Sequence, residues 1–215
     1  HLVSREEEKK APKTDALYID IGAKDKESAE KLLLPLVEEV RRRLGKVVYD
    51  VLDTDGGSLA LSAVRALKQR GWTIATAESL TGGLIASSMV EVPGASQVVK
   101  GGFVTYQSVS KTMLLGVPAE MIEQYDVVSA EVARAMAKGA RERLGVDIAV
   151  SATGLAGPDG GTPERPVGTV FLGIATAKGV YDIPLHLTGN RARIRTLTMK
   201  NALNAVRLEA EDADK

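Results

Sequence analysis

From Thr73 onward, short runs of β-branched and small apolar residues alternate with longer segments whose apolar positions recur every three to four residues. Runs of the first kind suit buried strands, and segments of the second kind suit amphipathic helices. The pattern predicts strands near residues 73–78, 101–107, 147–153, 168–177 and 180–187, and helices near 58–70, 82–91, 110–115, 118–124, 129–144 and 191–209. Such alternation places helices on both faces of one sheet, so the expected class is α/β, a three-layer α/β/α domain. Only Ala177-Lys-Gly179 separates the last two strands, which makes them an antiparallel hairpin in a sheet that is mixed but mostly parallel.

The first third reads differently. His1 to Asp15 is charge-rich with few apolar residues, a solvated arm. Leu17-Tyr-Ile-Asp-Ile21 alternates like a half-buried strand, Lys26 to Leu44 has helical spacing, and Lys46 to Val51 is a second strand, giving a small N-terminal βαβ segment. The turn-rich Asp53-Thr-Asp-Gly-Gly57 marks the boundary, so residues 1–52 form the arm and small segment and residues 53–215 the main domain.

Composition narrows the function. The 215 residues are 44% hydrophobic and 26% charged, the balance of an ordinary globular protein. Twenty-eight basic residues match 28 acidic ones, so no long-range field draws the chain to nucleic acid or to an anionic membrane, and neither is expected as a partner. Cysteine is absent, which removes disulfides and thiol nucleophiles, and His1 and His186 are too few and too distant for a metal site. Neither a metal nor another cofactor is expected. No signal peptide and no apolar run of ~18 residues is found, which makes the cytoplasm the expected location.

Three stretches could carry chemistry. Thr73-Ile-Ala-Thr-Ala-Glu-Ser79-Leu-Thr-Gly-Gly83 runs from a strand into a Ser/Thr/Gly/Gly turn, where outward N–H groups of Thr81, Gly82 and Gly83 could hold an oxyanion or phosphate; the plain alternative is a helix cap. Ser79 would need a base, and Lys111, just after the strand ending near Tyr106, could serve if burial or a neighbouring positive charge lowered its pKa to roughly 7–8. A lysine at a helix start is otherwise a surface residue. Next, a strand ends in Thr153-Gly154 and opens a loop with five glycines, Gly154 and Gly157 among them, and three prolines over residues 154–168, suited to close approach of a ligand or to a rigid surface turn. Its spacing fits neither a Walker loop nor a dinucleotide fingerprint. Last, Asn190 is a good N-cap, and Arg191 and Arg195 share a helix face against the macrodipole, so they either converge on one anion or form a solvated basic turn or ion pairs with acidic partners.

Seven ordered blocks carry a family resemblance: Ala77-Glu-Ser-Leu-Thr-Gly-Gly83, Val92-Pro-Gly-Ala-Ser96, Gly102-Phe-Val-Thr-Tyr-Gln-Ser-Val-Ser-Lys111, Leu115-Gly-Val117, Val128-Ser-Ala-Glu-Val-Ala133, Thr153-Gly-Leu-Ala-Gly-Pro158 and Pro166-Val-Gly-Thr-Val170. Over roughly residues 56–209 the chain resembles the C-terminal domain of the CinA family, the nicotinamide mononucleotide deamidases also called PncC. The resemblance implies a Ser/Lys amidohydrolase of pyridine nucleotide recycling that converts nicotinamide mononucleotide and water into nicotinate mononucleotide and ammonia. It makes Ser79 the nucleophile and Lys111 the base, sets Tyr106 and Thr153 beside them to orient Lys111 or the amide, and gives Arg191 to the substrate phosphate. Leu80, Ser108 and Asn190 depart from the usual cysteine, asparagine and aspartate of that pattern. The pyrophosphatase-type domain of long members has no counterpart here, so that activity is not expected.

Residues 17–51 are similar to the small βαβ linker of those long members, while His1 to Leu33, with Tyr18-Ile-Asp-Ile-Gly-Ala23, resembles an internal piece of M42-type metallo-aminopeptidases without a metal-site constellation. Relatives of the family oligomerise, and Leu32, Leu33, Leu34 and Leu36 offer apolar surface for it, so a homo-oligomer, dimer or higher, is expected. Competing with the enzyme is a non-catalytic nucleotide-binding or competence-linked interaction module; a third reading is hydrolysis of another small amide.

Overall fold

The computed structural model describes residues 59–212, which lie within one unit spanning residues 55–215. The N-terminal βαβ segment, the leucine-rich stretch 32–36 and the aminopeptidase-like piece lie outside the described residues.

Helix α1 (Leu59–Arg70) leads into β1 (Ile74–Glu78), all five of whose residues are buried. Helix α2 (Leu84–Val90) and β2 (Val99–Val104) follow, then α3 (Ser108–Leu115), α4 (Ala119–Tyr125) and α5 (Ala130–Leu144). Strands β3 (Ile148–Gly154), β4 (Thr169–Thr176) and β5 (Gly179–His186) precede the last helix, α6 (Arg191–Asp212). The five strands lie in the order β2-β1-β3-β4-β5, with helices on both sides.

Two pairings are parallel, β1 with β2 and β1 with β3, and two are antiparallel, β3 with β4 and β4 with β5. The sheet is therefore mixed as expected but only half parallel. The reason is the connection after β3, residues 155–168, which carries no helix; without a crossover, β4 can only return antiparallel. The β4–β5 hairpin forms where the short Ala177-Lys178 link predicts it.

Alternation of side chains across β1 decides what each helix layer meets. Ala75 and Ala77 join Val132, Met136 and Ala140 of α5 and Leu115 of α3 in one apolar cluster. Small residues let these layers close: a Cβ on Gly139 of α5 would stand 1.9 Å from the Leu115 carbonyl oxygen. Helix α5 has standard ends, with the Ser129 hydroxyl accepting from Val132 N–H at 3.3 Å, Glu131 in the first turn, Arg141 and Arg143 in the last, and Gly145 beyond.

Of the boundaries that shift from the predicted ones, two lie beside Ser79 and Lys111. Helix α2 starts at Leu84 instead of near 82, because Gly82 and Gly83 adopt φ of +61° and +95°, which a right-handed helix excludes. Strand β2 stops at Val104 instead of near 107, because the chain turns into α3 at Thr105–Gln107 and the Thr105 carbonyl is taken by a side chain of that helix. Among the described residues no helix is long and apolar enough to cross a membrane.

Candidate active site

Ser79 is the first residue past β1. Its N–H still donates to the Ala152 carbonyl of β3 at 2.9 Å, and the preceding Glu78 carbonyl accepts from Thr105 N–H at 2.8 Å. The serine is thus held at the carboxyl end of the strand flanked by both parallel neighbours, where α/β sheets commonly place their ligands.

Lys111 comes to it from the first turns of α3. Lys111 and Leu115 stand four apart on the buried face of that helix, with Lys111 only 1% exposed. The side chain reaches back toward the helix start. Its Nζ donates to the Thr105 carbonyl at 2.7 Å, lies 3.5 Å from the Tyr106 carbonyl oxygen, and stands 3.2 Å from Ser79 Oγ. Burial pushes the Lys111 ammonium down from its ordinary 10.5 to about 8. No charged group contributes to that shift. With two N–H bonds aimed at carbonyls, the neutral amine keeps its lone pair for the serine hydroxyl.

The turn after Ser79 is built by Glu78, whose role composition and spacing left unassigned. Its carboxyl group is fully buried and accepts from the N–H groups of Gly83 and Ile85 at 3.0 Å each, from Ala86 N–H at 2.9 Å and from the Thr76 hydroxyl at 3.2 Å. It fills the amino end of α2 from inside the protein. An acid in an otherwise apolar strand was the signal that could have marked it.

This corrects the oxyanion donors expected from Thr81, Gly82 and Gly83. Gly83 N–H belongs to Glu78, and Gly82 N–H donates to the Ser79 carbonyl at 3.1 Å. Within this turn the N–H groups of Leu80 and Thr81 have no acceptor among the described residues, and that of Thr81 lies in a fully buried residue.

The arginines do not converge. Arg195 donates from Nε to the Leu80 carbonyl at 2.9 Å and from Nη2 to the Thr81 carbonyl at 2.8 Å, so carbonyl oxygens supply the partners that a shared anion was expected to supply. Arg191 is exposed and donates to the Gly157 carbonyl at 2.8 Å and to the Tyr106 hydroxyl at 3.0 Å. Asn190 caps α6 through its Oδ1, which accepts from Arg193 N–H at 2.9 Å.

Two further expectations change at atomic detail. Tyr106 turns its carbonyl toward Lys111 while its hydroxyl, on a ring 58% exposed, meets Arg191. The Thr153 hydroxyl, instead of orienting Lys111 or an amide, donates to the Val127 carbonyl at 2.6 Å and ties β3 to the loop before α5. Gly154 is small because β4 passes it: a Cβ there would lie 2.7 Å from the Thr169 carbonyl oxygen. Among the described residues no group of three or more His, Cys, Asp or Glu could hold a metal ion.

The described residues thus define a three-layer α/β domain with a serine and a buried lysine meeting at the carboxyl ends of its parallel strands. The chain belongs to the CinA family, since the family model of the CinA C-terminal domain matches residues 57–209. It is 44% identical over 191 residues to the CinA-like protein of Dictyoglomus thermophilum, covering 89% of this chain and 46% of that protein. With the CinA-like protein of Dictyoglomus turgidum the identity is 42% over the same 191 residues, covering 89% and 46%. The chain therefore spans just under half the length of these curated relatives. Among solved structures, the competence/damage inducible protein CihA from Agrobacterium tumefaciens matches with a TM-score of 0.69 and 38% identity, over 72% of this chain and 94% of that one. A CinA superfamily protein from Escherichia coli matches with a TM-score of 0.69 and 30% identity, over 77% and 98%.

Proposed function

We propose that this domain is an amidohydrolase that converts nicotinamide mononucleotide and water into nicotinate mononucleotide and ammonia. The observation that carries the reading is the buried Lys111 amine 3.2 Å from Ser79 Oγ, with a proton affinity suited to a base near neutral pH. The Ser79 hydroxyl gives its proton to neutral Lys111 as Oγ bonds to the carboxamide carbon. The resulting ammonium keeps its contacts to the Thr105 and Tyr106 carbonyls and then returns the proton to the departing ammonia. Water attacks the acyl-enzyme with Lys111 again as base, which releases the acid and restores Ser79.

The oxyanion of each tetrahedral intermediate is taken by the N–H group of Leu80, which has no other acceptor among the described residues. Arg191, exposed and steadied by the Gly157 carbonyl and the Tyr106 hydroxyl, meets the substrate phosphate with its remaining N–H donors.

Ammonia release from nicotinamide mononucleotide tests the reading directly. The intact chain turns the substrate over without added metal and in the presence of chelator, and Ser79→Ala lowers kcat by about 10⁴-fold or more. Turnover that survives the loss of Ser79, or an intact chain that binds the nucleotide and releases nothing, overturns it.

A further inference from the structure

We propose that Arg195 is a positioning residue that holds the Ser79–Gly82 turn presenting the oxyanion-binding Leu80 N–H, and that it takes no part in holding the substrate phosphate. The inference rests on the amidohydrolase reading and adds to it a residue 116 positions beyond the nucleophile.

A trans peptide is planar, with its C=O and N–H pointing in opposite directions. Among the described residues Gly157–Pro158 is the cis peptide, so the peptides after Ser79 and Leu80 are trans. The Leu80 carbonyl is held by Arg195 Nε at 2.9 Å, so the Thr81 N–H on the same plane faces away from the guanidinium. The next carbonyl, of Thr81, is held by Nη2 at 2.8 Å, which stops the following plane from rotating. One plane earlier, the Ser79 carbonyl accepts from Gly82 N–H at 3.1 Å, so the Leu80 N–H faces away from that turn bond. Each carbonyl that could swing is tied; Thr81 N–H lies in a residue with no exposed surface, and Leu80 N–H, in a residue 4% exposed, is the donor of this turn left for a ligand.

A buried donor without a partner costs free energy that a ligand oxygen recovers. Fixed donors also avoid reorganisation as charge develops, which is the condition for a strong oxyanion site. Arg195 suits the task because one planar fork spans two consecutive carbonyls at fixed spacing, which an ammonium does not. The same engagement directs it away from phosphate: where Arg191 is exposed, the half-buried Arg195 lays its guanidinium along the turn, with Nη2 3.4 Å from where a Cβ on Gly82 would stand.

Two substrates separate positioning from phosphate binding: nicotinamide mononucleotide and nicotinamide riboside, which lacks the phosphate. Arg195→Met is expected to lower kcat about 10²-fold on both, the typical effect of losing one oxyanion donor, with KM nearly unchanged. Arg195→Lys recovers part of the loss, since it reaches one carbonyl, and is read in the same way if the methionine variant does not fold. A rise in KM confined to the phosphorylated substrate overturns the proposal. Labelling of Ser79 by a fluorophosphonate, whose phosphoryl oxygen needs the same N–H donor, makes the result independent of the substrate. Labelling slowed about 10²-fold in Arg195→Met supports the positioning role even where neither nucleotide is turned over. Labelling at the wild-type rate overturns it, and a wild-type chain that is neither labelled nor active overturns both this role and the hydrolase reading.

Discussion

Replacing Lys111 with methionine will slow turnover steeply and make the protein more stable. The lysine is 1% exposed with its amine lowered to about 8 by burial alone, and a long apolar side chain fits the same channel beside Leu115. Without a base, kcat is expected to fall by 10²–10⁴-fold, the usual contribution of a positioned proton acceptor. The sign of the stability change follows from proton binding. Between about pH 8 and about pH 10.5 the unfolded chain holds a proton on this lysine that the folded chain has released, so stability rises with pH across that window. Below it the full cost of the buried charge remains, up to about 3 kcal/mol for a shift of this size. Denaturant unfolding at pH 7 and pH 10 will show wild type gaining stability that Lys111→Met already has at pH 7. The same titration sets an ascending limb of kcat/KM with a midpoint near pH 8. A flat profile, or a variant less stable than wild type at pH 7, would show that the amine is not a desolvated base.

Glu78→Ala will have the opposite effect on stability and a similar one on activity. Three backbone N–H groups, of Gly83, Ile85 and Ala86, and the Thr76 hydroxyl lose their acceptor at once, in a place that water does not reach. Leaving a cluster of buried donors unpaired costs about 3–5 kcal/mol, a large part of a domain's total stability. The turn from Ser79 to Gly83 then has nothing to close upon, and the Leu80 N–H loses its fixed orientation. Urea unfolding reads the first effect. Fluorophosphonate labelling of Ser79 under conditions where the variant is still folded reads the second, and a folded variant labelled as fast as wild type would remove Glu78 from any part in the site.

What the chain discloses before folding depends on how local each signal is. Strand and helix order follow from periodicity over a few residues, and the Ser79 turn follows from a strand running into Ser-Leu-Thr-Gly-Gly. The half-antiparallel sheet could have been read from the same row: a connection of four glycines and three prolines between β3 and β4 has no helix with which to cross over. Helix α2 begins two residues late because two glycines take left-handed angles, a choice their composition permits without requiring. The partners of polar side chains are another matter. Thr153 gives its hydroxyl to Val127, 26 positions away, and Arg195 reaches carbonyls more than a hundred positions back. Spacing places Arg191 and Arg195 on one face of α6, but which acceptor each one meets is decided by how α6 packs against the rest of the domain. Glu78 stood in plain view within a signature block, and its apolar surroundings marked it as a residue that must be satisfied from within.

The desolvated lysine has a further consequence for the medium in which the chemistry runs. A base whose proton affinity is lowered by a neighbouring cation loses that tuning as dissolved ions screen the pair, over a Debye length of about 8 Å at physiological ionic strength. Lys111 has no such neighbour contributing to its shift. Its tuning comes from excluded water, which mobile ions do not restore, so added salt leaves the midpoint of the pH profile where it is.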